Sequence, residues 1–145
     1  MNNKILLEAA DKFATPLYIY DSNMIKSQYK RLNQSFKDVK NLQINYAVKA
    51  LSNISILKYF INMGSGIDAV SVQEVKLALK AGVNPKKILY TPNGVSIEEI
   101  KEVSELGVSI NIDNLEVLEQ FVNLNHDTPV LSLIHISEPT RRYRN

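Results

Sequence analysis

The chain has 145 residues, with 17 lysines and arginines against 15 aspartates and glutamates, and no cysteine. Without thiols there is neither a disulfide framework nor a thiolate metal site, and no metal site is expected. Glu138, Arg141, Arg142 and Arg144 cluster at the C-terminus and leave 14 charges of each sign elsewhere, so the balance offers no footprint for nucleic acid or an anionic membrane as a partner.

The start, Met1 to Glu8, lacks a long apolar core and is followed by Asp11, which argues against a secretory signal. No apolar run approaches membrane-spanning length, and a cytoplasmic location is expected. Pro16 to Asp21 reads as a first strand. A helix is predicted from about Ser22 to Phe36, with Ile25, Tyr29, Leu32 and Phe36 on one face.

Four further β-like runs follow: Leu42 to Val48, Ile67 to Ser71, Ile88 to Thr91 and Val108 to Ile112. Each precedes a stretch of helical spacing. Ile54, Leu57, Tyr59, Phe60 and Ile61 follow the first run, and Val72, Val75, Leu77, Ala78 and Leu79 the second. Ile97, Ile100, Val103 and Leu106 follow the third, then Leu115, Val117, Leu118, Phe121 and Val122 the fourth.

The punctuation agrees. Ser71-x-x-Glu74, Ser96-x-x-Glu99 and Asp113-x-x-Glu116 each fit a capping box, in which cap oxygen and N3 carboxylate accept each other's amide protons. Gly64, Gly82 and Gly107 stand where helices should stop in a left-handed residue. Successive βα units imply right-handed crossovers and a parallel sheet.

Two parallel architectures compete. An open doubly wound sheet would usually carry a glycine-rich phosphate turn that opens a helix. Gly64-Ser65-Gly66 instead precedes a strand. The short, even βα period suits a (β/α)8 TIM-type barrel, which needs about 250 residues. The fold class expected is therefore α/β, a partial barrel of about the first four βα units.

Lys49 is placed at the C-terminal end of the Leu42 to Val48 run. Barrel chemistry collects at that end, and a lysine amine can condense with a carbonyl cofactor. Alternation puts Asn45, Ala47 and Lys49 on one face and Ile44, Tyr46 and Val48 on the other.

At the C-terminus, Leu131 to Arg141 matches, codon by codon, the translation of a transposase-type sequencing-library adapter. The expectation is that residues 131–145 are not native, that residues 1–130 belong to the barrel domain, and that the natural product is cut off near Val130. The alternative is a genuine strand from Val130 to Ile136.

Five ordered blocks carry a family resemblance. They are Thr15 to Asp21, Tyr46-Ala47-Val48-Lys49-Ala50, Gly66 to Glu74, Tyr90-Thr91-Pro92-Asn93-Gly94 and Ile110 to Asn114. Together they closely resemble the diaminopimelate decarboxylases, in the alanine-racemase-like, barrel-type group of pyridoxal-phosphate enzymes. The resemblance runs from Ala14 to about Phe121.

The resemblance implies roles for particular residues. Lys49 matches the lysine that holds pyridoxal 5'-phosphate. Asp68 matches an acidic residue near that linkage, and Glu74 a glutamate kept near the cofactor; both are expected cofactor-binding residues. Asn93 and Gly94 match the loop after the third strand, where a plain Pro-Asn-Gly turn is the favoured reading. The implied reaction is decarboxylation of meso-diaminopimelate to L-lysine, the last step of lysine biosynthesis, by a homodimer.

Leu51-Ser52-Asn53 departs from the asparagine that many relatives show after the lysine motif, and the racemase-type continuation is absent. In the family, the histidine stacked on the cofactor, the phosphate-binding glycine loop and the substrate-selecting residues are expected beyond Val130. Neither His126 nor His135 is expected to replace that histidine. An ornithine or arginine decarboxylase of the same fold is the rival within the enzyme class. A second alternative is that this chain alone is an inactive fragment with weak cofactor binding.

Overall fold

The computed structural model describes residues 2–124 and 128–132. The chain divides into two compact units, one up to Leu42 and one from Gln43 onward. No composition shift announces that boundary.

The first unit is helical. Asn2 Oδ1 accepts the Lys4 amide at 2.9 Å and opens α1, Asn3–Phe13, a helix absent from the sequence expectations. Asp21 Oδ1 accepts the amides of Asn23 and Met24 and opens α2, Ser22–Ser35, close to the predicted span. The expected strand at Pro16 to Asp21 does not form among the described residues. Its residues alternate like a strand, but a strand requires a hydrogen-bonded neighbour, and this unit supplies none.

The second unit holds five parallel strands in the order β1-β2-β3-β4-β5. They are β1 Asn45–Ala47, β2 Gly66–Ala69, β3 Ile88–Tyr90, β4 Ser109–Ile112 and β5 Val130–Ser132. The helices between them are α3 Ile54–Asn62, α4 Val72–Ala81, α5 Ile97–Ser104 and α6 Leu115–Val122. Each strand pairs with the next in sequence. A doubly wound sheet reverses its strand order at a switch point; this one does not. The sequential order is that of a barrel wall.

Register shows why the two faces differ. Ala47 pairs with Asp68, Asp68 with Leu89, and Leu89 with Ser109, so these side chains form one row on one face. The residues between them face α3 to α6. There Ile67, Ala69, Ile88, Tyr90, Ile110 and Ile112 are buried with Leu57, Val75, Ala78, Ile100, Val103 and Phe121. Burying each larger apolar side chain contributes about 1.5–3 kcal/mol. Tyr46 also lies on this face, its ring stacked on Phe60 with centroids 4.0 Å apart.

The strands are shorter than the apolar runs that predict them. A run counts hydrophobic residues, whereas a strand ends where its ladder ends. After Ala47 the backbone turns into a 3-10 helix, Val48–Ala50, so Lys49 lies just past the strand rather than at its last residue.

The glycine stops are confirmed at Gly64, Gly82 and Gly107, which have φ of 95°, 96° and 71°. Two capping boxes are half formed. Ser71 Oγ accepts from the Glu74 amide and Ser96 Oγ from the Glu99 amide, each at 3.3 Å. Neither glutamate makes the expected return bond, because each carboxylate has a different donor, Val70 N–H for Glu74 and the Tyr90 hydroxyl for Glu99. At the third box the cap is Asn114, not Asp113; Asn114 Oδ1 accepts from Glu116 and Val117.

Leu131 and Ser132, the first residues of the stretch read as adapter, pair through β5 with Asn111 and Ile112. His126, His135 and the rest of that stretch lie outside the described residues.

Candidate active site

The C-terminal ends of β1 to β4 bring the chemistry together. The 3-10 turn carrying Lys49 is fixed on both sides. Val48 is fully buried beneath it, and the Leu51 amide donates to the Val48 carbonyl at 3.0 Å. The Tyr46 hydroxyl donates to the Leu51 carbonyl at 3.2 Å. Lys49 itself is exposed. The local sequence explains this: Val48 seeks the core, and Lys49 follows on the wet side of a tight turn.

Asp68 sits one strand over, in register with Ala47. Its Oδ1 accepts a 2.7 Å hydrogen bond from Thr91 Oγ1, the first residue past β3. Thr91 is itself held by its amide, which donates to the Ala69 carbonyl at 2.7 Å. A half-buried carboxylate thus has one oxygen fixed by a donor on the neighbouring strand end. Its other oxygen has no hydrogen bond among the described residues, and Asp68 is in register with Ala47, two residues before Lys49.

Glu74 is used differently. Its Oε2 accepts the Val70 amide at 2.8 Å, which ties the first turn of α4 back to the end of β2. That bond shapes the β2–α4 turn at the same sheet end as Lys49 and Asp68.

Past β3 and β4, Asn93 and Gly94 line a cavity of about 220 Å³ together with Asn111, Asp113 and Asn114. Gly94 has φ 64°, a left-handed turn that glycine adopts freely. Asn111 is 7% exposed, and its Oδ1 has no hydrogen-bond partner among the described residues.

Behind the site, on the helix-facing side, the buried Tyr90 hydroxyl donates to Glu99 Oε1 at 2.6 Å. Burial pushes the Tyr90 phenol up, and the bond to Glu99 and the nearby charges of Glu99 and Glu102 push the same way.

Lys49 thus follows β1 and Asp68 lies near the end of its neighbour β2, at the same end of the sheet, and Glu74 lies in the first turn of α4. The sequence reading did not single out Thr91 and Asn111 as site residues. Thr91 was visible as a polar residue just past an apolar run. Asn111 was visible as a polar residue between Ile110 and Ile112 in a run otherwise bound for the core. Among the described residues no helix is long and apolar enough to cross a membrane.

Comparison with known proteins identifies the family. Residues 22–142 match the family model for the pyridoxal-dependent decarboxylase, pyridoxal binding domain. The chain is 41% identical over 109 residues to the diaminopimelate decarboxylase of Methanothermobacter thermautotrophicus, covering 74% of this chain and 26% of that protein. It is 36% identical over 130 residues to that of Helicobacter pylori strain J99, covering 89% of this chain and 32% of the relative.

Among solved structures, diaminopimelate decarboxylase from M. jannaschii in complex with L-lysine has TM-score 0.79 at 30% identity, over 88% of this chain and 32% of that one. A lysine/ornithine decarboxylase from Vibrio vulnificus, with TM-score 0.81 at 24% identity over 90% of this chain and 35% of that one, shares the fold. The chain thus spans about a quarter to a third of the length of the curated relatives it matches. With a lysine presented past the end of β1, an anchored carboxylate at the end of β2 and a family match over most of its length, the chain belongs to the pyridoxal-dependent decarboxylases, in their pyridoxal binding domain.

Proposed function

We propose that the protein to which this chain belongs decarboxylates meso-diaminopimelate to L-lysine with pyridoxal phosphate. The observation that carries the reading is Lys49, an exposed amine on the turn that follows β1, the strand next to the one that ends in a carboxylate held by Thr91. The relatives at 36–41% identity, which are diaminopimelate decarboxylases, support the choice of substrate.

The residues present suit the cofactor by their chemistry. An aldehyde is captured by a primary amine, and Lys49 Nζ has no hydrogen bond or ion pair among the described residues to compete for it. When bound, pyridoxal phosphate supplies an electron sink for the pair left as carbon dioxide departs. Lys49 would anchor the cofactor and, once released by the substrate amine, return a proton to the substrate carbon. Asp68 would hold the positive charge of that nitrogen in place, and Thr91 would keep Asp68 in its working rotamer. Glu74 would act through the β2–α4 turn it closes.

The reading carries with it a homodimer and a cytoplasmic location. The chain by itself is proposed to present the lysine without turning substrate over, a view supported by the share of its relatives' length that it spans. Residues 131–145 are proposed to be adapter translation, and genomic sequence past the Val130 codon tests that.

The function is tested by mixing the chain with pyridoxal phosphate, reducing with borohydride and mapping the modified peptide. Stoichiometric label confined to Lys49 is expected. Label scattered over many lysines, or none, would overturn the assignment of Lys49.

A further inference from the structure

We propose that Asn93, in the β3–α5 turn, is a site of spontaneous deamidation, with Gly94 supplying the attacking nitrogen and water the only co-reactant. The backbone nitrogen of Gly94 gives up its proton and attacks Cγ of Asn93. The new N–Cγ bond closes a succinimide ring, the Cγ–Nδ2 bond breaks, and the side-chain nitrogen leaves as ammonia with that proton. Water then opens the ring at either carbonyl, to aspartate or to isoaspartate. Nothing is oxidised or reduced.

Both reacting groups are open to solvent. Asn93 and Gly94 are exposed. Among the described residues neither the Asn93 carboxamide nor the Gly94 N–H makes a hydrogen bond. Gly94 has no Cβ to shield its nitrogen, and the space a Cβ would take is empty to 4 Å. The turn is tied at its two ends, where the Thr91 amide donates to Ala69 and Ser96 Oγ accepts from Glu99. The pair between them belongs to neither the ladder nor the helix.

Asn53, Asn84 and Asn114 are protected by contrast. Their side-chain oxygens accept backbone amides as helix caps, and they precede Ile54, Pro85 and Leu115. Isoleucine and leucine crowd the attacking nitrogen, and proline has no N–H to ionise. Asn93–Gly94 is the single Asn-Gly pair of the sequence. Its product brings a new carboxylate into the cavity wall that Asn93 shares with Asp113. The isoaspartyl form also adds a methylene to the backbone two residues past Thr91, the residue that holds Asp68.

The inference goes beyond the decarboxylase reading, and its test uses neither cofactor nor turnover. The intact folded chain is incubated at neutral and at mildly alkaline pH, beside a synthetic peptide of residues 88–101 as the unfolded reference. Trypsin releases the same segment from the chain, between Lys87 and Lys101, and Asn93 is its single carboxamide side chain. Mass spectrometry follows the conversion, and endoproteinase Asp-N, which cuts before aspartate but not isoaspartate, separates the two products. The folded chain is expected to deamidate at Asn93 within about tenfold of the peptide's rate, as an unprotected turn should, and faster at the higher pH. A folded rate further below the peptide's, a rate indifferent to pH, or modification that appears first at another asparagine would each overturn the proposal.

Discussion

Thr91 Oγ1 donates to Asp68 Oδ1 at 2.7 Å across adjacent strand ends, and this one bond sets the direction of the acidic group in the site. Thr91→Val keeps the shape and removes the donor. A hydrogen bond to a charged group is worth about 1.5–3 kcal/mol, and partial exposure of Asp68 puts the expected loss at the lower end. Urea unfolding should show it, and Thr91→Ser should recover most of it.

Gly66 and Gly82 are glycines for different reasons. A Cβ on Gly66 would collide with Gln43 Nε2 and Asn45 Oδ1 and lie 2.8 Å from the Lys87 carbonyl. The side chains can swing aside, but the carbonyl belongs to the backbone. Gly82 has open space around it and a φ of 96°. Gly66→Ala should therefore cost about 1–3 kcal/mol through overpacking, and Gly82→Ala about 1–2 kcal/mol through left-handed strain. Only the first should disturb amide shifts in β1 and at Lys87, a difference that NMR can read.

Tyr90 predicts how stability depends on alkali. Its phenol ionises at higher pH in the folded chain than in the unfolded one, because burial and the Glu99 bond favour the neutral form. That contribution is complete below the ordinary tyrosine pKa of about 10 and is lost as pH rises from there toward the folded value. Unfolding midpoints measured from pH 8 to 11 should fall above pH 10. Tyr90→Phe should flatten that fall, at the cost of leaving Glu99 without its donor.

Lys49 is exposed, so its loss should touch chemistry and not stability. Lys49→Arg keeps the charge but offers no primary amine. The variant should take no pyridoxal phosphate under borohydride while its urea midpoint stays within about 0.5 kcal/mol of wild type. A large drop in stability would mean that the turn depends on the amine.

The βα rhythm was legible in the residues because it is local. Apolar periodicity, the Ser71 and Ser96 caps and the glycine stops each act within one turn of chain, and all of these recur in the structure. Lys49 and Asp68 were legible through the blocks around them.

Whether a pattern becomes structure depends on partners far along the chain, which no local pattern encodes. Pro16 to Asp21 alternates like a strand but lacks a neighbour to complete its ladder. Glu99 has capping-box spacing yet bonds to Tyr90, because β3 delivers a buried hydroxyl to it. The Thr91–Asp68 bond joins residues 23 apart in sequence, and Asn111 shares a cavity wall with Asn93 and Gly94 only because β4 pairs with β3. The chain's local physics determined the βα rhythm and where most helices start and stop; pairing and register, long-range properties of the sheet, decided which runs become strands and which polar groups meet at their ends.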